Sequence, residues 1–124
     1  MKKANHHTRV MPYLIVAEPK TLIHFLVNTF NGKNHFTKNR EDGSIQHTEV
    51  AMGDSNVMIS QAGSDFKANP TMLYIYVNDV DANFDLAIKN GATPIMAPYD
   101  EDYGARSAGI LGPCGNTWWM AKLN

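Results

Sequence analysis

The chain has 124 residues, of which 44% are hydrophobic and 19% are charged, and its formal net charge at pH 7 is -1. This length suits one domain with a sizeable core, and this composition excludes a disordered chain. A charge so close to zero predicts neither a nucleic-acid partner nor binding to an anionic membrane.

The N-terminal segment, 1–9, is basic but lacks the apolar stretch of a secretory signal, so we expect a cytoplasmic protein. The single cysteine, Cys114, cannot form an intramolecular disulfide, and no apolar run reaches the roughly 18 residues that would span a bilayer. The segment is predicted to be a flexible arm, in which His6 and His7 could offer some metal affinity.

The first half of the chain, 10–62, begins with a strand pattern at Tyr13-Leu14-Ile15-Val16. Glu18-Pro19 then opens a helix, which Asn31-Gly32 ends with a left-handed residue. The buried stripe of this helix has helical spacing and consists of Leu22, Phe25, Leu26 and Phe30. Three extended stretches follow at about 35–40, 44–52 and 56–61, with a hairpin at Gly53 between the last two. The predicted order is β-α-β-β-β.

The second half, 71–124, repeats this order after a polar linker at 63–70. A strand at 74–77 leads to Asp79 as the N-cap of a helix, whose stripe is Val80, Phe84, Ala87 and Ile88 and which stops at Asn90-Gly91. Extended stretches follow at 93–97, 107–111 and 117–121. Val16 and Gly53 are 37 residues apart and Val77 and Gly112 are 35 apart, so the chain is predicted to be a tandem duplication.

Strand alternation separates the core from a second face in each module. Leu14 and Val16 share one face of the first strand, as Ile75 and Val77 do in the repeat, and these faces suit packing under the helices. The opposite faces carry Met11, Tyr13, Ile15, Met72, Tyr74 and Tyr76. We expect these apolar and aromatic side chains to line a ligand cleft.

The chain also resembles a known family in its paired modules and in four strings: Tyr13-Leu14-Ile15-Val16, Val77-Asn78-Asp79-Val80-Asp81, Tyr103-Gly104-Ala105-Arg106-Ser107 and Gly112-Pro113-Cys114-Gly115-Asn116-Thr117-Trp118-Trp119. They resemble the vicinal oxygen chelate superfamily of glyoxalases, bleomycin-resistance proteins and extradiol dioxygenases, and in particular its PhnB-like branch. The resemblance covers about residues 10–122 and implies an α+β fold, in which two tandem βαβββ modules form a curved mixed sheet around a cleft. It also implies a homodimer, with modules paired within one chain or swapped between two.

The resemblance further implies four metal-ligand positions, two in each module. Metal-dependent members of the superfamily hold one divalent ion there with His, Glu or Gln, whereas this chain has Met11, Ile59, Met72 and Trp119. None of these side chains provides the oxygen or imidazole nitrogen that such an ion needs. We therefore predict no cofactor.

His47 and Glu49 leave an alternative open. They are two residues apart on a predicted strand, so their side chains share a face with Cβ atoms about 7 Å apart. They could supply two ligands for one divalent metal ion, or a base and its orienting partner. They could equally face water or form an ion pair with Arg106.

Two further candidates also have a structural and a functional interpretation. Arg106 could hold a carboxylate or phosphate of a ligand through its planar fork, or it could clamp onto Asp100 or Glu101. Trp119 could stack on a flat or cationic ligand, or it could fill the cleft.

The favoured function is binding of a small aromatic or cationic molecule in an apolar cleft, without the family metal. The predicted lining residues are Met11, Tyr13, His47, Glu49, Ile59, Met72, Tyr74, Tyr103, Arg106 and Trp119. The alternatives are a metal-dependent lyase, isomerase or dioxygenase that uses His47 and Glu49, and an interaction protein whose cleft is filled. No familiar catalytic motif is present, so no catalytic residue is predicted.

Overall fold

The computed structural model describes residues 1–124, which form the β-α-β-β-β order twice, as predicted. The first module consists of β1 Tyr13–Val16, α1 Pro19–Phe30, β2 Lys33–Asn39, β3 Ile45–Met52 and β4 Ser55–Gln61. The second module consists of β5 Met72–Tyr76, α2 Val80–Lys89, β6 Thr93–Asp100, β7 Ala105–Leu111 and β8 Thr117–Leu123. Neither helix has the length and apolar character needed to cross a membrane.

Each module forms its own four-stranded mixed sheet, with strand orders β1-β4-β3-β2 and β5-β8-β7-β6. The first and last strands of each module pair in parallel, and the other pairs are antiparallel. Parallel neighbours need a crossover, and the crossovers contain α1 and α2, which pack on their own sheets. The predicted α+β fold class is confirmed.

The helices begin and end where local chemistry dictates. Pro19 occupies the first turn of α1, where its missing N–H costs nothing, and Asn31 ends the helix in the left-handed region at φ 57°. The carboxylate of Asp79 caps α2 by accepting from the N–H of Ala82 at 3.0 Å. Both predicted starts are therefore confirmed.

The chain divides into two compact units, 1–69 and 70–124. The segment predicted as a linker, 63–70, lies almost wholly in the first unit. The N–H of Asn69 donates to the carbonyl of Ile15 at 3.1 Å, and the N–H of Ile15 donates to Oδ1 of Asn69 at 3.0 Å. These bonds hold the end of the segment against β1.

In the second unit, Arg106 ties the first turn of α2 to the sheet. Its Nε and Nη2 donate to the two carboxylate oxygens of Asp81 at 2.6 and 2.8 Å, and its Nη1 donates to Asp100 at 3.1 Å. The hydrogen bonds from this guanidinium hold the pKa of Asp81 below its ordinary value of 3.8. Bidentate geometry of this kind is what a guanidinium provides and an ammonium does not.

Trp119 on β8 leaves little room above β7. Its neighbour across the strands is Gly109, and a Cβ added at that glycine would lie 2.6 Å from Cε3 of the indole. Such an approach is shorter than van der Waals contact, so glycine is what allows the indole to lie against the strand.

We expect Gly109→Ala to lower the free energy of unfolding by about 1–3 kcal/mol, because the new methyl group overpacks the contact with Trp119. Urea denaturation followed by tryptophan fluorescence measures this change. Gly63→Ala is the control, since no heavy atom lies within 4 Å of the position that its new methyl group would take, and the effect should stay within about 0.5 kcal/mol. Equal effects of the two substitutions would contradict the packing argument.

We expect Arg106→Gln to destabilise the protein at neutral pH and this deficit to shrink in acid. The pKa of Asp81 is lower in the folded state than its ordinary value of 3.8. The stability that its bond with Arg106 contributes is therefore complete above pH 3.8 and is lost as the pH falls through the folded-state pKa. Chemical denaturation of both proteins at a series of pH values measures the difference between their free energies of unfolding. If this difference stays constant as the pH falls through this range, the ion pair of Arg106 with Asp81 is not the source of the lost stability.

Candidate functional site

The face of the first sheet opposite α1 carries most of the predicted site residues of this unit, and we refer to it as the open face. Register places Met58 of β4 between Tyr13 of β1 and Glu49 of β3, and it places Ser60 beside Ile15. Leu14 and Val16 are buried, so the predicted division of β1 into two faces is seen in the structure.

Tyr13 and His47 meet on the open face. The hydroxyl of Tyr13 lies 3.1 Å from Nδ1 of His47, and their rings are 5.6 Å apart. The contact with His47 anchors the ring of Tyr13 at its hydroxyl end, and the ring surface remains accessible because Tyr13 is 47% exposed. The bond fixes the orientation of an aromatic ring that could contact a ligand.

Glu49 has different partners from His47, although the two share the open face. Its side chain is buried, and Oε1 contacts Nε2 of His7 from the N-terminal arm. The arm is itself attached to the sheet, because Nδ2 of Asn56 donates to the carbonyl of His6 at 2.9 Å. The sequence predicts no fixed position for His6 and His7, since 42 residues separate His7 from Glu49 and no local pattern shows the contact.

A pocket of about 890 Å³ lies beside Tyr13 on the first unit. Its lining consists of Tyr13, Ile15, Arg40, Asp42, Ser44, Gln46, Ser60, Gln61 and residues 62–66. Tyr13 and Ile15 are the two residues among them that the strand alternation predicts as cleft lining, and the predicted surface is more apolar than this one. The turn after β2 and the segment after β4 supply the charged groups, and neither has a periodic pattern that would mark it as lining.

Hydrogen bonds hold Asp42 and Arg40, two of the three charged side chains that line this pocket, in place. Asp42 accepts from the N–H and the hydroxyl of Ser44 at 2.9 and 2.6 Å, and these bonds lower the pKa of its carboxyl group. Arg40 donates to Oγ of Ser44 at 3.1 Å and to the carbonyl of Ile45 at 3.2 Å. The pocket therefore presents a carboxylate, while the guanidinium is occupied by its own turn and strand.

None of the predicted site residues of the second unit lines this pocket. Trp119 of β8 lies opposite Tyr74 of β5, and Met72, also on β5, is exposed. Partial desolvation, followed by a side-chain hydrogen bond with Tyr103, raises the pKa of Tyr74. Arg106 is the clamp between Asp81 and Asp100 described above, which is the structural one of its two interpretations.

Ile59 lies on the opposite face of its strand from the one predicted. It is fully buried opposite Leu14 and Thr48, which puts it on the helix-covered face. Met58 takes the expected position, because it faces Tyr13 as Trp119 faces Tyr74. The prediction was one residue out of register, and a slip of one residue turns a strand's side chains to the other face.

The residues at the family's four metal positions do not fit a divalent ion. With Met58 in place of Ile59, the set becomes Met11, Met58, Met72 and Trp119. Thioethers and an indole lack the oxygen and imidazole ligands that zinc, nickel, manganese or ferrous ions take. These four positions therefore offer a divalent metal ion no suitable ligand atom.

Similar proteins have been found at the level of both sequence and structure. The family model of the Glyoxalase/Bleomycin resistance protein/Dioxygenase superfamily matches residues 4–120. An uncharacterised protein of Mycobacterium bovis is 26% identical over 129 residues, which cover 95% of this chain and 85% of the relative. An uncharacterised protein of Mycobacterium tuberculosis is 26% identical over 129 residues, which cover 95% of this chain and 76% of that relative.

Among solved structures, TioX from Micromonospora sp. ML1 superposes with a TM-score of 0.79 at 20% identity, covering 94% of this chain and 99% of that one. A PhnB protein from Bacillus cereus superposes with a TM-score of 0.71 at 11% identity, covering 91% and 98%. At these identities the structural likeness shows a shared fold. Together with the match of the family model along nearly the whole chain, it establishes that this chain belongs to the glyoxalase, bleomycin-resistance protein and dioxygenase superfamily.

Proposed function

We propose that this chain binds a small planar molecule, aromatic or cationic, in the pocket beside Tyr13 and releases it unchanged. The observation that carries the proposal is the 890 Å³ pocket on the first unit, whose size is in the range of sites for small organic ligands. Superfamily membership is compatible with binding and with catalysis, so the proposal depends on the pocket itself.

Two aromatic side chains support a planar ligand. The ring of Tyr13 lines the pocket and is anchored through His47, which reduces the entropy lost when a ligand stacks on it. Phe66 lines the pocket from the segment after β4, where the N–H of Gly63 donates to its carbonyl at 2.9 Å. A flat ligand can make ring contacts with either side chain.

The charge of the pocket supports a cationic or hydrogen-bond-donating ligand. The lining includes the carboxylates of Asp42 and Asp65, against the single guanidinium of Arg40. Ser44 lowers the pKa of Asp42, so this carboxylate stays charged throughout the neutral range. A cation is also attracted electrostatically to the face of a tyrosine ring.

The alternative of a metal-dependent lyase, isomerase or dioxygenase built on His47 and Glu49 has less support. Nδ1 of His47 bonds to Tyr13, and the carboxylate of Glu49 contacts His7, so the two side chains have separate partners. The proposed binding function requires no ion at the family's metal positions.

Assembly and location form part of the proposal. We propose a homodimer in the cytoplasm, on the strength of the family resemblance. Ligand binding at the pocket does not depend on either, because every lining residue belongs to one unit of one chain.

We expect Tyr13→Ala to weaken binding of aromatic cations about 5- to 30-fold, because the substitution removes a stacking surface worth about 1–2 kcal/mol. A panel of aromatic cations and their neutral isosteres, first ranked by thermal shift, provides the ligands. Isothermal titration calorimetry of the tightest binder then measures the effect.

Tyr76→Ala is the matched control, since Tyr76 is also an exposed strand tyrosine but lies in the second unit. Its affinity should equal that of the unmodified protein. Unchanged affinity in Tyr13→Ala, or an equal loss in both variants, would place the ligand elsewhere and refute the proposal. No binding by any compound in the panel would refute it as well.

A further inference from the structure

We propose that His6, His7 and Glu49 form a binding site for one divalent transition-metal ion, in which the N-terminal arm supplies the two imidazoles. Their ligand atoms all lie within 4.8 Å of one another. In a tetrahedral site with bonds of about 2.1 Å, ligand atoms are about 3.4 Å apart, so small side-chain rotations bring the three into range.

The carboxylate of this site lies on a rigid element. Glu49 belongs to β3, a strand that pairs with β2 on one side and with β4 on the other. Its direct neighbours across the strands are Phe36 and Met58. Glu49 is only 7% exposed, and a buried carboxylate needs a cationic or hydrogen-bonding partner. The partner in the structure is Nε2 of His7, an atom that can also coordinate a metal.

The arm is shaped so that both histidines reach the carboxylate. The N–H of His7 donates to the carbonyl of Ala4 at 3.1 Å, which closes a turn, and Nζ of Lys3 donates to the carbonyl of His7 at 2.8 Å. Asn56 attaches the turn to β4 through the carbonyl of His6. Three hydrogen bonds to or within the backbone of the arm therefore hold it in place before any ion arrives.

A third imidazole, that of His35, packs against His6. The ring of His35 packs edge-on against the ring of His6 with centroids 5.1 Å apart, and its Nε2 lies 3.1 Å from Oδ1 of Asn56. Asn56 thus contacts both the arm and His35 with one side chain. Outer contacts of this kind orient metal ligands and raise affinity.

The ligand set selects the class of metal. Two imidazole nitrogens and one carboxylate oxygen suit zinc, cobalt, nickel or ferrous iron, whereas calcium and magnesium prefer oxygen ligands. Three protein ligands leave at least one position for water or another small ligand. This site is distinct from the family's four metal positions, because none of His6, His7 and Glu49 is among Met11, Met58, Met72 and Trp119.

The metal site is also independent of the proposed ligand pocket. None of its three side chains lines that pocket. Failure of one proposal therefore leaves the other standing, and the two experiments use different probes.

Titration of the untagged, full-length protein with Co²⁺ and Zn²⁺ after dialysis against a chelator tests the site. We expect one ion per chain with micromolar or tighter affinity, a visible absorption band for bound Co²⁺, and a higher melting temperature with Zn²⁺. Binding should weaken on acidification, because protons compete for the same lone pairs.

Three variants distinguish this site from adventitious surface binding. His7→Gln and Glu49→Gln should each lower the affinity at least about 10-fold, since even outer-shell changes have effects of 10- to 100-fold. His24→Gln is the control, because His24 is exposed on α1 and bonds to Asn28 there. Its affinity should equal that of the unmodified protein.

His7→Gln keeps the test decisive even if Glu49→Gln fails to fold, because His7 lies outside every strand and helix. Circular dichroism confirms that each variant is folded. Absence of a cobalt band, undiminished affinity in His7→Gln, or an equal loss in His24→Gln would overturn the proposal and leave His7 and Glu49 as a structural ion pair.

Discussion

Parallel pairing between the first and last strands of each module is the constraint on which the rest of the structure depends. The register of β1 with β4 places Tyr13 beside Met58 and Leu14 beside Ile59, so side chains alternate together across the two strands. A parallel neighbour must be reached by a crossover, and the crossover contains the helix that covers one face. The other face is left without a helix. Tyr13, Ile15 and Ser60 of the pocket and Glu49 of the proposed metal site lie on the strands of the first sheet that supply this face.

The two modules use equivalent positions for different purposes. Glu49 is the neighbour of Met58 in the first sheet, and Gly109 is the neighbour of Trp119 in the second. Where the first module has a buried carboxylate, the second has a glycine that makes room for an indole. The two modules therefore share strand order and pairing, while the side chains at equivalent positions differ.

Much of the fold could be predicted from the sequence because its signals are local. The Asp79 cap and the left-handed Asn31 depend on neighbours within a few residues, and both were found as expected. The helix stripes are local too and are buried in part, at Leu22, Phe25 and Leu26 of α1 and at Val80 and Ala87 of α2. Register is not local, which explains why Ile59 was assigned to the wrong face. The contact between His7 and Glu49 and the lining of the pocket by residues 62–66 join distant parts of the chain, so no spacing in the sequence could reveal them.

The open face of the first sheet is, in our proposal, the binding face of the protein. Amide chemical-shift mapping by NMR, with the tightest-binding compound of the aromatic panel, tests this claim most directly. We predict that the largest shifts occur at Tyr13, Ile15 and Ser60, which lie together on β1 and β4 and line the pocket. Shifts confined to the second unit, around Tyr74 and Trp119, would contradict the claim.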